Sequence, residues 1–353
     1  MTRATAIAAP PAPKLQHTAI LGVGAYRPRR EVPNAEIVDA IDSSDEWIQS
    51  RSGIKSRRFA GEDETILMMS VEAAKDALRA ADMEADQIDG VIIATNTRMV
   101  FGPSMAPQVA LALGRNNIAA FDITAGCSGF STALANADSL IRGGTLRNVL
   151  VVGVERLSDF VDKHDRTCAF IFADGAGAAV VGPSEEVGIG AVSWGADGNF
   201  TNAIYQDKDF SSFFDEVEEV RGGADIPERP YIRMEGRQVF RWCATFLLGA
   251  CQEALTKAGM QASDIEVFIP HQANIRITQV LTKALELPED VVIAEDIVTT
   301  GNTSAASIPL AMEELIRSGK AKPGQRALVM AFGSGLAYAG QVVTLPPVSD
   351  QDA

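Results

Sequence analysis

The sequence predicts an α/β protein built from two copies of one unit, and three observations predict it. Ala77-Leu78, Met83 and the apolar run Ile88–Ile93 recur as Ala254-Leu255, Met260 and Ile265–Pro270, an offset of 177 positions between Met83 and Met260. Leu140-Ile141-Arg142-Gly143-Gly144 returns as Leu315-Ile316-Arg317-Ser318-Gly319 at an offset of 175, and each copy runs into an apolar strand, Val149–Val152 or Ala327–Ala331. The chain of 353 residues, 46% hydrophobic and 22% charged, is sized for one large core or two fused smaller ones. Helix, turn, strand, helix, strand in each half is the pattern of α/β layering around a sheltered sheet.

Along the chain, residues 1–16 are rich in Ala and Pro and lack an apolar stretch with a cleavage site, so they read as a disordered tail rather than a signal peptide. Residues 17–184 form the first half and 185–346 the second, with 347–353 as a short tail. Within the first half, Phe170–Gly182 reads as a hairpin turning at Asp174-Gly175. No apolar run approaches the roughly 18–20 residues needed to cross a bilayer. The four cysteines (127, 168, 243, 251) have no metal-ligand spacing and no disulfide framework is expected, so a cytoplasmic protein is expected. The net charge of −15 argues against nucleic acid as a partner, since phosphate binding needs a basic face.

Aligning the two helices that end in Leu-Ile-Arg lays Cys127 on Asn302, each just after a glycine and ahead of a helix. Apolar residues at Phe130, Leu134, Leu140 and Ile141, and at Ile308, Met312, Leu315 and Ile316, give each helix a core-facing side. A cysteine at a helix start is primed, because free backbone N–H groups and the helix dipole favour the thiolate. Taken alone, Ala125-Gly126-Cys127-Ser128-Gly129 also fits a small buried hydrophobe. Cys243 and Cys251 lie within helical periodicity and Cys168 opens a strand, so these three read as structural. His271 ends the buried run Val267–Pro270, where open α/β sheets bind ligands. Alone it is equally a structural histidine; beside Cys127 and Asn302 it reads as functional.

Cys127 in Ala-Gly-Cys-Ser-Gly-Phe, His271 in Pro-His-Gln-Ala-Asn-Ile-Arg and Asn302 in Gly-Asn-Thr-Ser-Ala-Ala-Ser-Ile-Pro closely resemble the β-ketoacyl-acyl-carrier-protein synthase III family. The likeness runs from Ile20 to about Thr344. It includes Asp42–Ile48 with Arg51–Ile54, Phe172–Ala178 and Ala331–Gly335. The resemblance implies a thiolase-like fold, a five-layered αβαβα stack of two pseudo-two-fold related α/β halves, forming a homodimer. It implies an acyltransferase that loads a short acyl-CoA primer on Cys127 and condenses it with malonyl-acyl-carrier protein, initiating type II fatty acid synthesis. In that scheme the Cys127 and Ser334 N–H groups form an oxyanion hole, His271 and Asn302 stabilise the enolate left by decarboxylation, and no metal or redox cofactor is needed.

The resemblance further places Trp47 and Arg51 at the mouth of the pantetheine tunnel, Arg166 against the CoA phosphates, and Asn274 and Arg276 on CoA. It assigns Gln272, Ala273, Asn274, Ile275 and Arg276 to the acidic carrier protein. Arg241 and Lys283 would complete a basic patch, or equally a solvated helix face. Phe332, and Phe101 from across the dimer, would line the acyl pocket. Two departures stand out. Thr167 follows Arg166 where the family has glycine, and Arg98–Gly102 differs from the acetyl-specific version, which predicts room for a longer or branched primer. Chain-elongating synthases use Cys-His-His, and thiolases place a second cysteine where this chain has Ala331, so both are disfavoured. A polyketide starter enzyme, an acyl–acyl condensing relative and a silent scaffold of the same fold remain as alternatives.

Overall fold

A computed structural model describes residues 17–221 and 228–349; the expected tail at 1–16 and residues 350–353 lie outside the described residues. The first large sheet contains β1 (His17–Tyr26), β2 (Gly90–Ala94), β3 (Ala119–Ile123), β4 (Val149–Arg156) and β5 (Asp174–Ser184) in the order β1-β5-β4-β2-β3. The second contains β6 (Ser193–Ala196), β7 (Val267–Pro270), β8 (Val292–Ile293), β9 (Arg326–Gly333) and β10 (Ala337–Thr344) in the order β6-β10-β9-β7-β8. Matching β1–β5 to β6–β10 makes the two orders identical. The directions match as well: in both sheets three mutually parallel strands form one end, and next to them β5 or β10 runs antiparallel and pairs antiparallel in turn with the edge strand β1 or β6.

The helices α1 (Asp45–Ser52), α2 (Ile66–Ala80), α3 (Ala106–Ala112), α4 (Gly129–Arg142), α5 (Gly236–Lys257), α6 (Ile275–Ala284) and α7 (Ser307–Arg317) complete the main layers. Helices α2 and α3 cover the outer face of the first sheet, and α5 packs on the outer face of the second with α6 against it. Between the sheets lie α4 and α7, giving five layers. Both faces of each sheet are therefore covered, which is why β2 reads as an unbroken apolar run, all of it buried. The central core joins Phe130, Leu134 and Ile141 of α4 to Ile308, Met312, Leu315 and Ile316 of α7, between Ile92 and Val151 on one side and Ile269 and Val329 on the other.

The repeat extends to details. The 3-10 turns Ala85–Gln87 and Ala262–Asp264 carry matching capping boxes at the 177 offset. Gly126 and Gly301, at the 175 offset, both adopt positive φ (56° and 71°), the left-handed region that a Cβ disfavours.

Three local expectations fail. No hairpin turns at Asp174-Gly175; they begin the single strand β5, and the Asp174 carboxylate accepts hydrogen bonds from Ser158 and Ala60. Asp-Gly imitates a turn, but here its carboxylate anchors a strand start. Cys168 does not open a strand but is buried in the turns ahead of β5. Residues 347–349, read as tail, pack on the body: the Pro347 carbonyl accepts from Val23 N–H, Val348 bridges to Val23, and Ser349 is buried.

Candidate active site

Cys127 lies in the 3-10 turn Gly126–Ser128 that leads from β3 into α4, and it is 8% exposed. The end of β9 is pressed against it. A Cβ added at Gly333 would sit 2.4 Å from the Cys127 backbone nitrogen, and one at Gly126 would sit 2.8 Å from the Ser334 nitrogen. Only glycines allow this approach, which brings the backbone of Gly333-Ser334 alongside the sulfur-bearing residue.

Asn302 is held by its main chain between Ile171 and Ala173: its N–H donates to the Ile171 carbonyl and its carbonyl accepts from Ala173 N–H, both at 2.9 Å. Its side-chain Oδ1 accepts from Ser304 N–H at 2.8 Å. The amide NH2 has no hydrogen-bond partner among the described residues, so Asn302 keeps its donor group free. Ser304 opens the 3-10 turn Ser304–Ala306, which packs against the turn Gly126–Ser128 that carries Cys127, so Asn302 lies close to the nucleophile candidate.

His271 follows β7 directly, and its N–H donates to the Met330 carbonyl of β9. Nδ1 lies 2.6 Å from Ser307 Oγ at the start of α7, and the ring packs edge-on against Phe332 at 5.1 Å. Phe332 precedes Gly333, the residue touching Cys127. Cys127, His271 and Asn302 are thus gathered at one locus by contacts through Ser304, Ser307, Phe332 and Gly333.

Electrostatics differs from the sequence expectation. Burial pushes the Cys127 thiol up to about 12; the nearby Ser304 side chain opposes this, and the neighbouring Glu155 charge adds to it. Loss of water outweighs whatever the helix start supplies. Burial likewise pushes His271 down to about 3, so its imidazole is neutral. Sequence reasoning missed Glu155, buried at the end of β4, and Ser304, which holds φ of +48° in the left-handed region. An ionisable residue closing an otherwise apolar strand, Val149–Val154, was the available signal for Glu155.

The residues expected at the tunnel mouth also meet. Arg166 and Arg51 stack their guanidinium groups over Trp47, at 4.9 and 5.8 Å from the ring centroid, and Asn274 donates to the Arg51 carbonyl. Asn274 also caps α6 through its side chain, and Ile275 packs against Gly53. Arg276 is exposed, with its guanidinium over Phe240 of α5. Arg241 of α5 and Lys283 of α6 are exposed as well, and Arg237, one turn before Arg241, joins them without having been foreseen. None of these four cations is in an ion pair among the described residues. Ala273 is half-buried.

Gln272 requires correction. It is 1% exposed, its NH2 donates to the Pro270 and Ala294 carbonyls, and its Oε1 accepts from Ile297 N–H. An amide spent inside in this way does not reach a protein partner. Phe332 is buried at His271, whereas Phe101 is fully exposed on the single chain (103%), on a loop tied down by the ion pair of Arg98 with Asp122. No group of three or more His, Cys, Asp or Glu side chains is arranged to hold a metal among the described residues. No helix of the described residues is long and apolar enough to cross a membrane.

Comparison with known proteins settles the family. Residues 121–198 match the family profile of 3-oxoacyl-[acyl-carrier-protein] synthase III, and residues 255–345 match that of its C-terminal part. The mycobacterial β-ketoacyl-[acyl-carrier-protein] synthase III of Mycobacterium marinum is 52% identical over 329 residues, spanning 93% of this chain and 95% of that one. This chain belongs to the β-ketoacyl-acyl-carrier-protein synthase III family. The Streptomyces glaucescens synthase III is 50% identical, over 95% of this chain and 98% of its own. Among solved structures, the priming β-ketosynthase of the R1128 polyketide pathway superposes with a TM-score of 0.89 at 44% identity, covering 95% of this chain and 98% of that one. The 3-oxoacyl synthase III of Aquifex aeolicus gives 0.83 at 40%, with coverages of 93% and 99%. The chain is therefore an acyltransferase-type condensing enzyme with the thiolase-like fold of two halves.

Proposed function

We propose that this synthase III transfers an acyl group from acyl-CoA to Cys127 and then joins it to malonyl-acyl-carrier protein with loss of carbon dioxide. What carries the reading is that His271 and Asn302 each keep an uncommitted nitrogen beside Cys127, Nε2 of the ring and Nδ2 of the amide. With the Ser307 hydroxyl donating to Nδ1, the imidazole proton sits on Nε2, and Asn302 spends its oxygen on Ser304 and keeps its NH2. As carbon dioxide leaves the malonyl group, charge gathers on the thioester oxygen, and two neutral donors held there stabilise the enolate. One such donor is worth about 3–4 kcal/mol. A neutral His271 suits this role, because a buried imidazolium would cost desolvation at every turnover.

The carbanion then attacks the acyl-Cys127 carbonyl, whose oxygen meets the Cys127 and Ser334 N–H groups, and a 3-oxoacyl thioester is released. This chemistry draws on side chains and backbone alone. Trp47, Arg51, Arg166 and Asn274 are proposed to receive CoA; Arg276, Arg241, Lys283 and Arg237 are proposed to face the acidic carrier protein. A second copy is proposed to pair along the edge strand β3, where Phe121 is exposed beside Met99, Val100, Phe101 and Leu111. The 0.89 superposition on a polyketide-priming enzyme favours, as a second reading, a role in starting polyketide chains.

Mass spectrometry after mixing with acetyl-, isobutyryl- and long-chain acyl-CoA is expected to show an acyl adduct on Cys127. Its distribution reports the primer, and a strong acetyl preference would dispose of the larger pocket. Cys127→Ala should lose the adduct and keep malonyl decarboxylation, while His271→Ala and Asn302→Ala should load and fail to decarboxylate. Loss of loading in Asn302→Ala would refute this division of labour.

A further inference from the structure

Arg233 lies on the short strand Ile232–Met234, which pairs with Ile204–Gln206 outside both large sheets. Its guanidinium meets three carboxylates: Nη1 is 3.1 Å from Asp162 Oδ2 and 3.0 Å from Asp165 Oδ2, and Nε is 2.8 Å from Asp207 Oδ2. Backbone contacts hold this strand against the run that precedes β5. Ile232 N–H donates to the Phe160 carbonyl at 2.8 Å, and the Cys168 thiol donates to the Ile232 carbonyl at 3.6 Å. Nothing in the chemistry above uses Arg233, yet two of its acids, Asp162 and Asp165, stand just ahead of Arg166 in the chain.

Arg166 is exposed, stacks over Trp47 beside the exposed Arg51, and is in no ion pair among the described residues. The run around it winds in successive turns, with Asp165 N–H donating to the Asp162 carbonyl at 3.0 Å and Ala169 N–H to the Asp165 carbonyl at 2.9 Å. On such a path, opposite charges three or four positions apart are neighbours. Arg156 pairs with Asp159 in this way at 3.0 Å, and Arg142 with Asp138 at 3.5 Å. Arg166 has the same opportunity and does not take it. Asp162 Oδ1 accepts from His164 N–H at 2.9 Å, and Asp165 Oδ1 accepts from Thr167 N–H at 2.7 Å and its hydroxyl at 2.6 Å. The other oxygen of each acid goes to Arg233. We propose that Arg233 keeps Arg166 free for the phosphates of CoA by occupying the carboxylate oxygens that Arg166 would otherwise engage. This rests on the reading that Trp47, Arg51 and Arg166 receive CoA.

A phosphate arriving at an unpaired guanidinium gains a charge-assisted contact outright. Were Asp162 to hold Arg166, the phosphate would have to displace a carboxylate and then lie next to it, setting two like charges side by side. Arginine suits position 233 because its planar fork serves several acids at once, whereas an ammonium is a single point of charge. Asp207 completes the arrangement from the paired strand. Tyr231 N–H donates to Asp207 Oδ1 at 2.8 Å and Asp207 N–H to the Tyr231 carbonyl at 2.9 Å, so this carboxylate is fixed by backbone and holds the Nε edge while Nη1 serves the other two. Arg233 touches no substrate in this scheme. It is a positioning residue that acts through Arg166, and its effect is confined to thioesters that carry phosphate.

The test takes the acyl group that loads best, carried either on CoA or on pantetheine, which lacks the nucleotide and every phosphate, and compares kcat/KM for loading from the two carriers. Arg233→Gln should lower the ratio of CoA to pantetheine about 10-fold, the size of one lost charge-assisted contact. Arg166→Ala should lower the ratio at least as far, and the double variant no further. Adding Asp162→Asn to Arg233→Gln should recover several-fold of the loss, because the carboxylate set free is then gone. A merely structural Arg233 would weaken both thioesters together and show no recovery with Asp162→Asn. Either result overturns the inference, as does a native ratio in Arg233→Gln. Should Arg233→Gln not fold, Arg233→Lys decides, since an ammonium leaves at least one acid free and the ratio should still fall several-fold; a native ratio there sinks the idea. A native ratio in Arg166→Ala would instead refute Arg166 as the phosphate contact, the reading on which the inference stands.

Discussion

Acid should destabilise this protein through His271 by an amount that can be worked out. Its imidazole is fully buried with a folded value pushed from 6.5 to about 3, the cause being desolvation. For a base whose folded value is depressed, stability is present above the unfolded value and is lost as pH falls toward the folded one. Between pH 7.5 and 5 the unfolded chain binds the proton and the folded chain does not, which costs about 2 kcal/mol; by pH 4 the loss reaches ~3 kcal/mol. Replacing His271 with Asn removes the titrating group, so this slope should vanish from the variant while other titrations remain in both. Urea unfolding at pH 7.5 and pH 5, at one protein concentration, measures the difference. If His271→Asn loses as much stability as the native chain over that interval, the neutral buried imidazole is wrong, and the enolate mechanism loses its reason for preferring His271 as a donor. An imidazole resonance titrating near 6.5 would be equally fatal.

Two further outcomes bear on partners. Arg241→Glu should raise KM for malonyl-acyl-carrier protein several-fold at low salt and leave acyl-CoA loading of Cys127 unchanged, because it reverses a charge on the exposed α5–α6 face; equal KM values would remove that face from carrier docking. Phe101→Asp should convert a two-chain particle into single chains in light scattering, and a native particle of one-chain mass would end the proposed pairing along β3.

The sequence carried the architecture because its signals were periodic and doubled. Apolar strands sheltered on both faces, and helices ending in Leu-Ile-Arg, do not depend on remote contacts to be read. The same doubling led from Cys127 to Asn302. Reading failed where meaning came from tertiary context. Asp174-Gly175 imitates a turn but begins a strand, because Ser158 and Ala60 supply donors to its carboxylate. Gln272 sits in the stretch expected to face a carrier protein, yet its amide is consumed by Pro270, Ala294 and Ile297, an arrangement that arises only when the loop after β7 folds over. The thiol of Cys127 illustrates the limit best: helix position is local and legible, whereas desolvation depends on β9 being laid across it.

The two halves also explain why the candidate site is polarised. Strands β4 and β9 occupy equivalent places, and the 177 offset that relates them lays Glu155 on Phe332. Each closes its strand at the candidate site, Glu155 accepting from the Ser304 hydroxyl and Phe332 packed against His271. A buried carboxylate at the Cys127 side adds its charge to the burial that holds the thiol protonated. An aromatic ring at the His271 side gives the imidazole no counter-charge, so burial keeps it neutral and its Nε2 proton available. Exchanging the two would set a counter-charge beside the imidazole and favour its protonated form. The duplicated fold thus supplies one geometry twice, and divergence at a single equivalent position gives the two sides of the candidate site different electrostatics.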